Sequence, residues 1–372
     1  MSEDFLSFFA PGRVEVIGNH VDYNGGVVLS AALQLGIRVK GRQTEDGTIR
    51  LASEGIDERV CVDSQVPVAP LENWADYPLG VWSELKKTGA PVRGFEAEFS
   101  STLPIGAGLS SSAAIESATA MLLQSLYNFK LSPLEIAKIC QRAENQFVGV
   151  NCGLLDQVSS VFGRSGNLIV LDCRSEEVSH QPLPGEVVFI VVHSAVPHAL
   201  VGGEYNERRE QCFEAARLLG VEELRDVSMV DLEAAISAGK LPDLPTRRAR
   251  HVVGEVERVF AAKEAALAGD LKSMGSLMTQ SHRSSIHNFE NSTPELDMLV
   301  EIATADAGVY GARLTGGGFG GAIVALAQRE GAGATAKRIE TAYRKKSGNR
   351  GKAYVCEVGD GAVLSNGGVL PN

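Results

Sequence analysis

Cysteine is scarce and unpaired in this chain. Its 372 residues include six cysteines, and no two of them form a Cys-x-x-Cys pair. Structural zinc sites and disulfide frameworks depend on regular cysteine spacing, so neither is expected here. We expect buried free thiols in a reducing cytoplasm.

Positive charge and long apolar runs are lacking as well. The chain has 35 basic and 46 acidic residues, a formal net charge of −11. Such a chain has no basic field for nucleic acid or anionic lipid, so a bound nucleotide must be held locally, and Mg²⁺ would help to hold it. No window approaches 18 consecutive apolar residues, and the N-terminus has no basic signal-peptide region. We expect a cytoplasmic protein with no nucleic-acid or membrane partner.

The length and the distribution of apolar residues predict two domains. A single core rarely keeps growing at this size, and the character of the chain changes from strand-rich to helix-rich after His193. We assign residues 1–180 to an N-terminal domain with a mixed sheet and residues 181–372 to an α+β C-terminal domain. No low-complexity linker separates them, so we expect the ligand site to lie between them.

The individual elements follow from apolar periodicity and from turn residues. Strands are predicted at Val14–Ile17, Val27–Leu33, Gly36–Gly41, Thr48–Ala52, Gly94–Phe99, Leu168–Asp172, Val187–His193 and Gly321–Ala327. Helices are predicted at Tyr205–Leu219, Val230–Ser237, Arg247–Ala268 and Pro294–Ala307. A further helix begins at a Ser132–Glu135 capping box with Pro133 at its first position and runs to about Gln146.

Two common nucleotide-binding motifs are absent, but a different glycine-rich loop is present. The stretch Pro104–Ala114 contains neither the Gly-Lys-Ser/Thr of a Walker A loop nor a Gly-x-Gly-x-x-Gly fingerprint. It runs directly into an alanine-rich helical pattern that extends to about Tyr127. Loop amides and the N-terminus of that helix would converge on one point, which is a favourable place for a phosphate.

Glycine is abundant in three stretches that carry a resemblance. Gly12–Gly26 reads GRVEVIGNHVDYNGG, Pro104–Ala114 reads PIGAGLSSSAA, and Leu314–Gly321 reads LTGGGFGG. These stretches resemble, in order, the three motifs of the galactokinase family, within the superfamily that includes homoserine and mevalonate kinases. Connecting segments such as Gly153–Gln157 and Pro294–Asp297 also match, so the resemblance spans nearly the whole chain.

The resemblance implies a two-domain GHMP kinase fold and transfer of the ATP γ-phosphoryl group to the C1 hydroxyl of galactose. It makes Asp156 and Arg13 the catalytic pair, with Asp156 beside the C1 hydroxyl. It also implies the following binding residues: Asn19, His20, Asp22, Gly153 and Tyr205 for the sugar; Gly106, Ala107, Gly108, Leu109, Ser110, Ser111 and Ser112 for ATP; and Ser112 and Glu144 for Mg²⁺. The oligomeric state is not fixed by the sequence, and a monomer is compatible with it.

Four of these residues also have a purely structural alternative. Asp156 could cap a helix that begins at Gln157, Glu144 could lie on a solvated helix face, and His20 could be a satisfied core histidine. Asp22 precedes Asn24-Gly25, a turn that could present its carboxylate to hydroxyl groups.

The chain departs from the family motif near the sugar. Asn19 replaces the usual glutamate that contacts the C6 hydroxyl, Glu15 replaces the usual asparagine, and Ser30 replaces a proline. A neutral Asn19 would not repel a uronate, so galacturonate, arabinose or N-acetylgalactosamine are alternative substrates. Ser285–Phe289 also differs in local charge from the family pattern. A non-catalytic sugar and ATP sensor is a third hypothesis, although Arg13, Glu144 and Asp156 form a complete transfer apparatus.

Overall fold

The computed structural model describes residues 5–104, 106–196 and 201–364. Ile105, within the middle glycine-rich stretch, lies outside the described residues. The strands are β1 Leu6–Ile17, β2 Val27–Gln43, β3 Thr48–Ser53, β4 Ile56–Asp63, β5 Phe95–Ser101, β6 Asn167–Asp172, β7 Val178–Pro182, β8 Val187–His193, β9 Val309–Thr315, β10 Ala322–Gln328, β11 Lys352–Cys356 and β12 Val363–Leu364. The helices are α1 Asp76–Lys87, α2 Ser111–Leu126, α3 Pro133–Arg142, α4 Leu155–Phe162, α5 Val201–Leu219, α6 Met229–Ser237, α7 Asp243–Leu267, α8 Leu271–Ser284, α9 Pro294–Thr304 and α10 Ala332–Ser347.

An eight-stranded mixed sheet is built around the long strand β2. Its main path runs β12-β1-β2-β5-β3-β4, and β6 and β7 extend from the first residues of β2. β3 and β5 are parallel, whereas the other pairs in this sheet are antiparallel. The β1–β2 register shifts between Pro11 and Arg13 and again between Glu15 and Ile17. Such irregularities re-aim side chains, and here they flank two charged residues of β1.

A second, antiparallel sheet has the order β11-β8-β10-β9. Its apolar side chains, such as Ile190 and Ile323, pack with Leu296 of α9 and Ile339 of α10. The change from one sheet to the other falls between Pro182 and Val187, but β12 pairs with β1 and returns the end of the chain to the first sheet. The division at residue 180 stays a prediction.

Most predicted elements are confirmed, and the errors have physical causes. The two strands predicted at Val27–Leu33 and Gly36–Gly41 form one continuous strand, because Gly36 fits an extended backbone against β1. The capping box at Ser132 is present, with Ser132 Oγ accepting from Glu135 N. Strands β4, β7, β9, β11 and β12 and helices α1, α8 and α10 were missed. β12 is only two residues long, and polar residues or glycines interrupt the apolar patterns of the others. None of the described helices is long and apolar enough to cross a membrane.

All six cysteines are free thiols. Cys140, Cys212 and Cys356 are buried, as expected, and Cys152 and Cys173 are half-buried. Cys61 is exposed on β4, so the expectation of burial is wrong there. That strand was not predicted from the sequence, and its outward face was therefore not recognised.

Candidate active site

A cavity of about 490 Å³ collects most of the predicted site residues. Eight of them line it: Arg13, Asn19, His20, Asp22, Glu144, Gly153, Asp156 and Tyr205. They come from β1, the turn after it, the end of α3, α4 and α5, with Gly316 and Gly317 of the third glycine-rich stretch completing the wall. Residues more than 180 positions apart in the sequence therefore form one site.

Arg13 and Asp156 form a bidentate ion pair in this cavity. Arg13 Nε donates to Asp156 Oδ1 at 2.7 Å, and Arg13 Nη2 donates to Oδ2 at 2.8 Å. Arg13 Nη1 also donates to the Gly108 carbonyl at 2.9 Å, which ties the pair to the middle glycine-rich loop. Asp156 lies within the first turn of α4 and does not cap it, so the structural alternative for this residue is wrong. The two parallel hydrogen bonds fix the carboxylate in one orientation.

The loop before α2 is bound directly to the same pair. Ser110 has φ +56° and donates from Oγ to Asp156 Oδ2 at 2.6 Å. This serine, predicted to hold phosphate, therefore has a partner that the sequence does not reveal. Gly12 permits the close approach of β1 to the loop, because a Cβ there would lie 2.4 Å from the Leu109 carbonyl. The unpaired amides of the first turn of α2 lie at this end of the loop.

Glu144 lies in a π-helical turn, Ala143–Val148, that continues α3. It is 6% exposed and not on a solvated helix face, so that alternative is wrong. Burial, aided by the charge of Asp156, raises the pKa of Glu144 to about 7, and a hydrogen bond with Ser112 opposes the rise. Gln157 Nε2 donates to Glu144 Oε2 at 2.7 Å and to Glu116 Oε2 at 3.3 Å. Ser112 and Glu144, the two predicted metal ligands, are thus neighbours.

His20 is a buried, neutral histidine whose two ring nitrogens are both engaged. Nε2 lies 3.0 Å from the Gly317 carbonyl and therefore donates to it, while Nδ1 accepts from the Tyr23 hydroxyl at 2.8 Å. Burial lowers the pKa of His20 to about 3. Its ring packs 5.1 Å from Tyr205 and 4.5 Å from Phe289, centroid to centroid. The bonding is that of a satisfied core histidine, although the residue still lines the cavity.

Asp22 is placed by a short 3₁₀ turn, Asp22–Asn24, that ends at Gly25 with φ +66°. Its carboxyl group faces Gly153, where a Cβ would lie 2.3 Å from Asp22 Oδ2. Glycine at 153 is therefore required for this approach. Burial, together with the nearby charges of Glu15 and Asp156, raises the pKa of Asp22 to about 6.

Asn19 is held by three side-chain hydrogen bonds. Its Nδ2 donates to Glu15 Oε1 at 3.2 Å and to the Gly316 carbonyl at 2.8 Å, and its Oδ1 accepts from Asn291 Nδ2 at 2.8 Å. Glu15 is in turn paired with the fully buried Arg313, whose Nη1 donates to Oε1 at 3.0 Å. Both Asn19 and Glu15 line the cavity.

Several residues of this region were not assigned a role from the sequence. Glu116, Asn291 and Arg313 lie outside the matched motifs, and their side-chain hydrogen-bond partners are at least 26 positions away. Gln157 ends a matched segment, but its bond to Glu144 was not expected. Ser285–Phe289, which differs from the expected charge pattern, forms a π-helical turn whose Phe289 packs behind His20. The tertiary contacts of these residues, and not a local sequence pattern, show that they belong to the site.

Three family models match the chain. They are the galactokinase galactose-binding signature over residues 2–43, the GHMP kinases N-terminal domain over residues 76–164 and the GHMP kinases C-terminal model over residues 262–345. The first two cover all the predicted site residues except Tyr205. The third lies in the region that contains the third glycine-rich stretch.

Curated relatives match over nearly the full length. A galactokinase of Mannheimia succiniciproducens is 42% identical over 366 residues, covering 96% of this chain and 94% of that protein. The Homo sapiens galactokinase is 42% identical over 372 residues, covering 98% of this chain and 93% of that protein.

Solved structures agree with these matches. The Lactococcus lactis galactokinase complexed with galactose superposes with a TM-score of 0.92 at 33% identity, covering 97% of this chain and 95% of that one. A Methanococcus jannaschii mevalonate kinase superposes with a TM-score of 0.67 at 20% identity, which shows a shared fold.

Proposed function

The chain belongs to the galactokinase family of GHMP kinases, and we propose that the cavity is the site where it phosphorylates galactose. The protein is an ATP-dependent kinase that converts galactose and ATP to galactose 1-phosphate and ADP. The observation that carries the site assignment is the Arg13–Asp156 pair, bonded on one side to the glycine-rich loop and open on the other to the cavity.

The catalytic step follows from this geometry. Asp156 receives or orients the proton of the sugar C1 hydroxyl, and Arg13 and Ser110 hold its carboxylate in place. Arg13 also presents positive charge beside the point where the phosphoryl group is transferred. Phosphoryl transfer needs mainly alignment and charge stabilisation from a protein, so a positioned carboxylate and an arginine are suited to it.

The loop residues 106–112 hold the nucleotide phosphates in this proposal. Their amides and the N-terminus of α2 supply donors without net charge, which suits a protein whose overall charge is −11. Exposed Ser111 and half-buried Ser112 have hydroxyls at that end of the helix. Ser110 contributes through its backbone while its hydroxyl remains on Asp156.

Ser112 and Glu144 fit Mg²⁺. Both offer the hard oxygen ligands that this ion takes, and the two side chains interact with one another. Burial and, after it, the charge of Asp156 raise the pKa of Glu144, and a divalent cation would favour the ionised carboxylate. When bound, Mg²⁺ neutralises charge on the phosphates. Gln157 orients the Glu144 carboxylate by its hydrogen bond.

The sugar pocket is formed by Asp22, Gly153, Tyr205 and the backbone of residues 316–317, with His20 as a positioning residue. The Asp22 carboxylate has free lone pairs for two hydroxyl donors. We place the enzyme in the cytoplasm, where its free thiols stay reduced.

The affinity for galactose is expected to fall as the pH drops through about 6. Asp22 accepts hydroxyls as a carboxylate above its raised pKa of about 6 and loses that ability when protonated below it. The decrease approaches about tenfold per pH unit on the acid side. The groups that face Asp22 are Glu15, Asp156, Tyr205 and the neighbouring Tyr23.

Calorimetry with galactose and no nucleotide, from pH 5 to 8, measures this dependence. Asp22→Asn should bind weakly with a flat profile, which separates Asp22 from Glu144. A wild-type affinity that is constant across the range would remove Asp22 from sugar binding.

ADP release with Mg-ATP tests the function directly. Galactose, galacturonate, arabinose and N-acetylgalactosamine are compared at matched concentrations with the purified protein. Galactose should turn over fastest. Preference for another sugar would contradict the assigned substrate, and binding without turnover would contradict the kinase activity.

A further inference from the structure

Glu15 is a buried carboxylate that the proposed reaction does not use. It is 5% exposed and lines the sugar side of the cavity. Its Oε1 accepts hydrogen bonds from Asn19 and Arg313, whereas its Oε2 accepts none from any residue in the described ranges. A buried oxygen with unused lone pairs beside a ligand cavity is suited to accept a proton donor from that ligand.

Asn19 cannot accept a hydrogen bond from the ligand unless its present hydrogen bonds rearrange. Both hydrogens of its amide are used, on Glu15 and on the Gly316 carbonyl, and its oxygen already accepts from Asn291. The Asn19 backbone is fixed as well, because its N–H donates to Glu255 Oε1 at 3.2 Å and its carbonyl faces His251 Nε2 at 3.1 Å. Asn19 therefore acts on Glu15, which it orients.

The part of the cavity wall that Asn19 and Glu15 form is therefore negatively charged, whereas Asn19 alone suggests a neutral wall. Asn19 lacks the negative charge of the glutamate that is usual at this position. Glu15 supplies a negative charge in its place, because Glu15 Oε1 lies 3.2 Å from the Asn19 amide nitrogen. Arg313, which does not line the cavity, neutralises part of that charge through its ion pair with Glu15 Oε1. A sugar carboxylate placed here would face Glu15 Oε2 without a cation between them.

We propose that Glu15 is the specificity-determining residue of the sugar pocket: its Oε2 accepts a hydrogen bond from a galactose hydroxyl and excludes acidic sugars, and Asn19 and Arg313 position it. The inference rests on the proposed function, since it requires galactose to occupy this cavity. It replaces the expectation that Asn19 admits a uronate.

Deoxygenated galactoses identify the hydroxyl concerned. Calorimetric affinities of the 2-, 3-, 4- and 6-deoxy sugars are measured for the wild type and for Glu15→Gln, which keeps an acceptor for Asn19 and Arg313. One analogue should bind the wild type about 10- to 100-fold more weakly than galactose but lose less than about threefold on Glu15→Gln. Equal losses for both proteins at every position would overturn the proposal.

The same variant tests exclusion of acidic sugars. Glu15→Gln should raise the kcat/KM ratio of galacturonate to galactose by at least about tenfold, because the repelling charge is removed while Arg313 remains. Glu357→Gln is the matched control, since Glu357 pairs with Arg329 on the surface, outside the cavity. The ratio of kcat/KM for galacturonate to that for galactose should be the same in Glu357→Gln as in the wild type.

A charge exchange keeps the proposal testable if Glu15→Gln does not fold. Asn19→Glu alone would place two carboxylates within hydrogen-bonding distance, with Arg313 as their partner, so galactose affinity should fall about tenfold or more. The double variant Glu15→Asn/Asn19→Glu should recover most of that loss. If Asn19→Glu binds galactose as well as the wild type does, Glu15 does not have this role.

Different measurements would contradict the kinase activity and the role of Glu15. Galactose binding without ADP release from the wild type would contradict the proposed function, and the calorimetric comparison of Glu15→Gln would still decide the role of Glu15. Normal turnover of galactose with an unchanged galacturonate ratio in Glu15→Gln would contradict the inference alone.

Discussion

Replacing Asp156 by asparagine is expected to lower kcat for galactose by about 10²–10⁴-fold, the usual contribution of a positioned proton acceptor. Asparagine is nearly isosteric, so the hydrogen bond from Ser110 and one of those from Arg13 can persist. The sugar pocket around Asp22 and Gly153 is left in place. Galactose affinity, measured by calorimetry, should therefore change by less than about threefold while steady-state ADP release falls.

The control for this variant is Asp306→Asn. Asp306 forms the same kind of bidentate pair with Arg338, at 2.7 and 2.8 Å, but lies outside the cavity. Its kcat should match that of the wild type. Wild-type turnover by Asp156→Asn would remove this carboxylate from the mechanism, and a parallel loss of galactose binding would show that it acts by shaping the pocket.

Local sequence signals predicted the parts of the fold that depend on neighbouring residues. The capping box at Ser132, the strand in Val187–His193 and the loop-to-helix junction at Ser110 all show as sequence patterns that span only a few positions. The family resemblance of the glycine-rich stretches also predicted which residues along the chain belong to the site. The pairing of Arg13 with Asp156 could be expected from it, although they are 143 residues apart.

The details of the sugar side could not be predicted in the same way. The identity of Asn19 suggested a neutral wall, yet the charge there depends on Glu15 and on Arg313, 298 residues later in the chain. His20 looked like a sugar ligand, but its nitrogens are used by Tyr23 and Gly317. Glu144 required a π-helical turn, which leaves no mark in a 3.6-residue apolar pattern. Each of these depends on packing between distant segments.

The same packing predicts that Arg13 and Asp156 act as one unit. Arg13→Met keeps side-chain volume but removes all three hydrogen bonds of the guanidinium, to both Asp156 oxygens and to Gly108. The guanidinium both orients Asp156 and carries charge beside the transferring group, so its loss should lower kcat by about 10²–10³-fold. The free energy of unfolding should fall by about 2 kcal/mol, less than for a fully buried pair, because the Asp156 side chain is 27% exposed.

A double-mutant cycle measures that dependence. If Arg13 works through the orientation of Asp156, the double variant Arg13→Met/Asp156→Asn should have a kcat close to that of the slower single variant. Independent roles would instead multiply the two losses. Arg338→Met with Asp306→Asn is the matched cycle, and it should change stability without changing kcat. A multiplicative result at Arg13 and Asp156 would mean that the guanidinium acts on the phosphoryl group independently of Asp156, and that its ion pair with Asp156 serves the fold rather than the reaction.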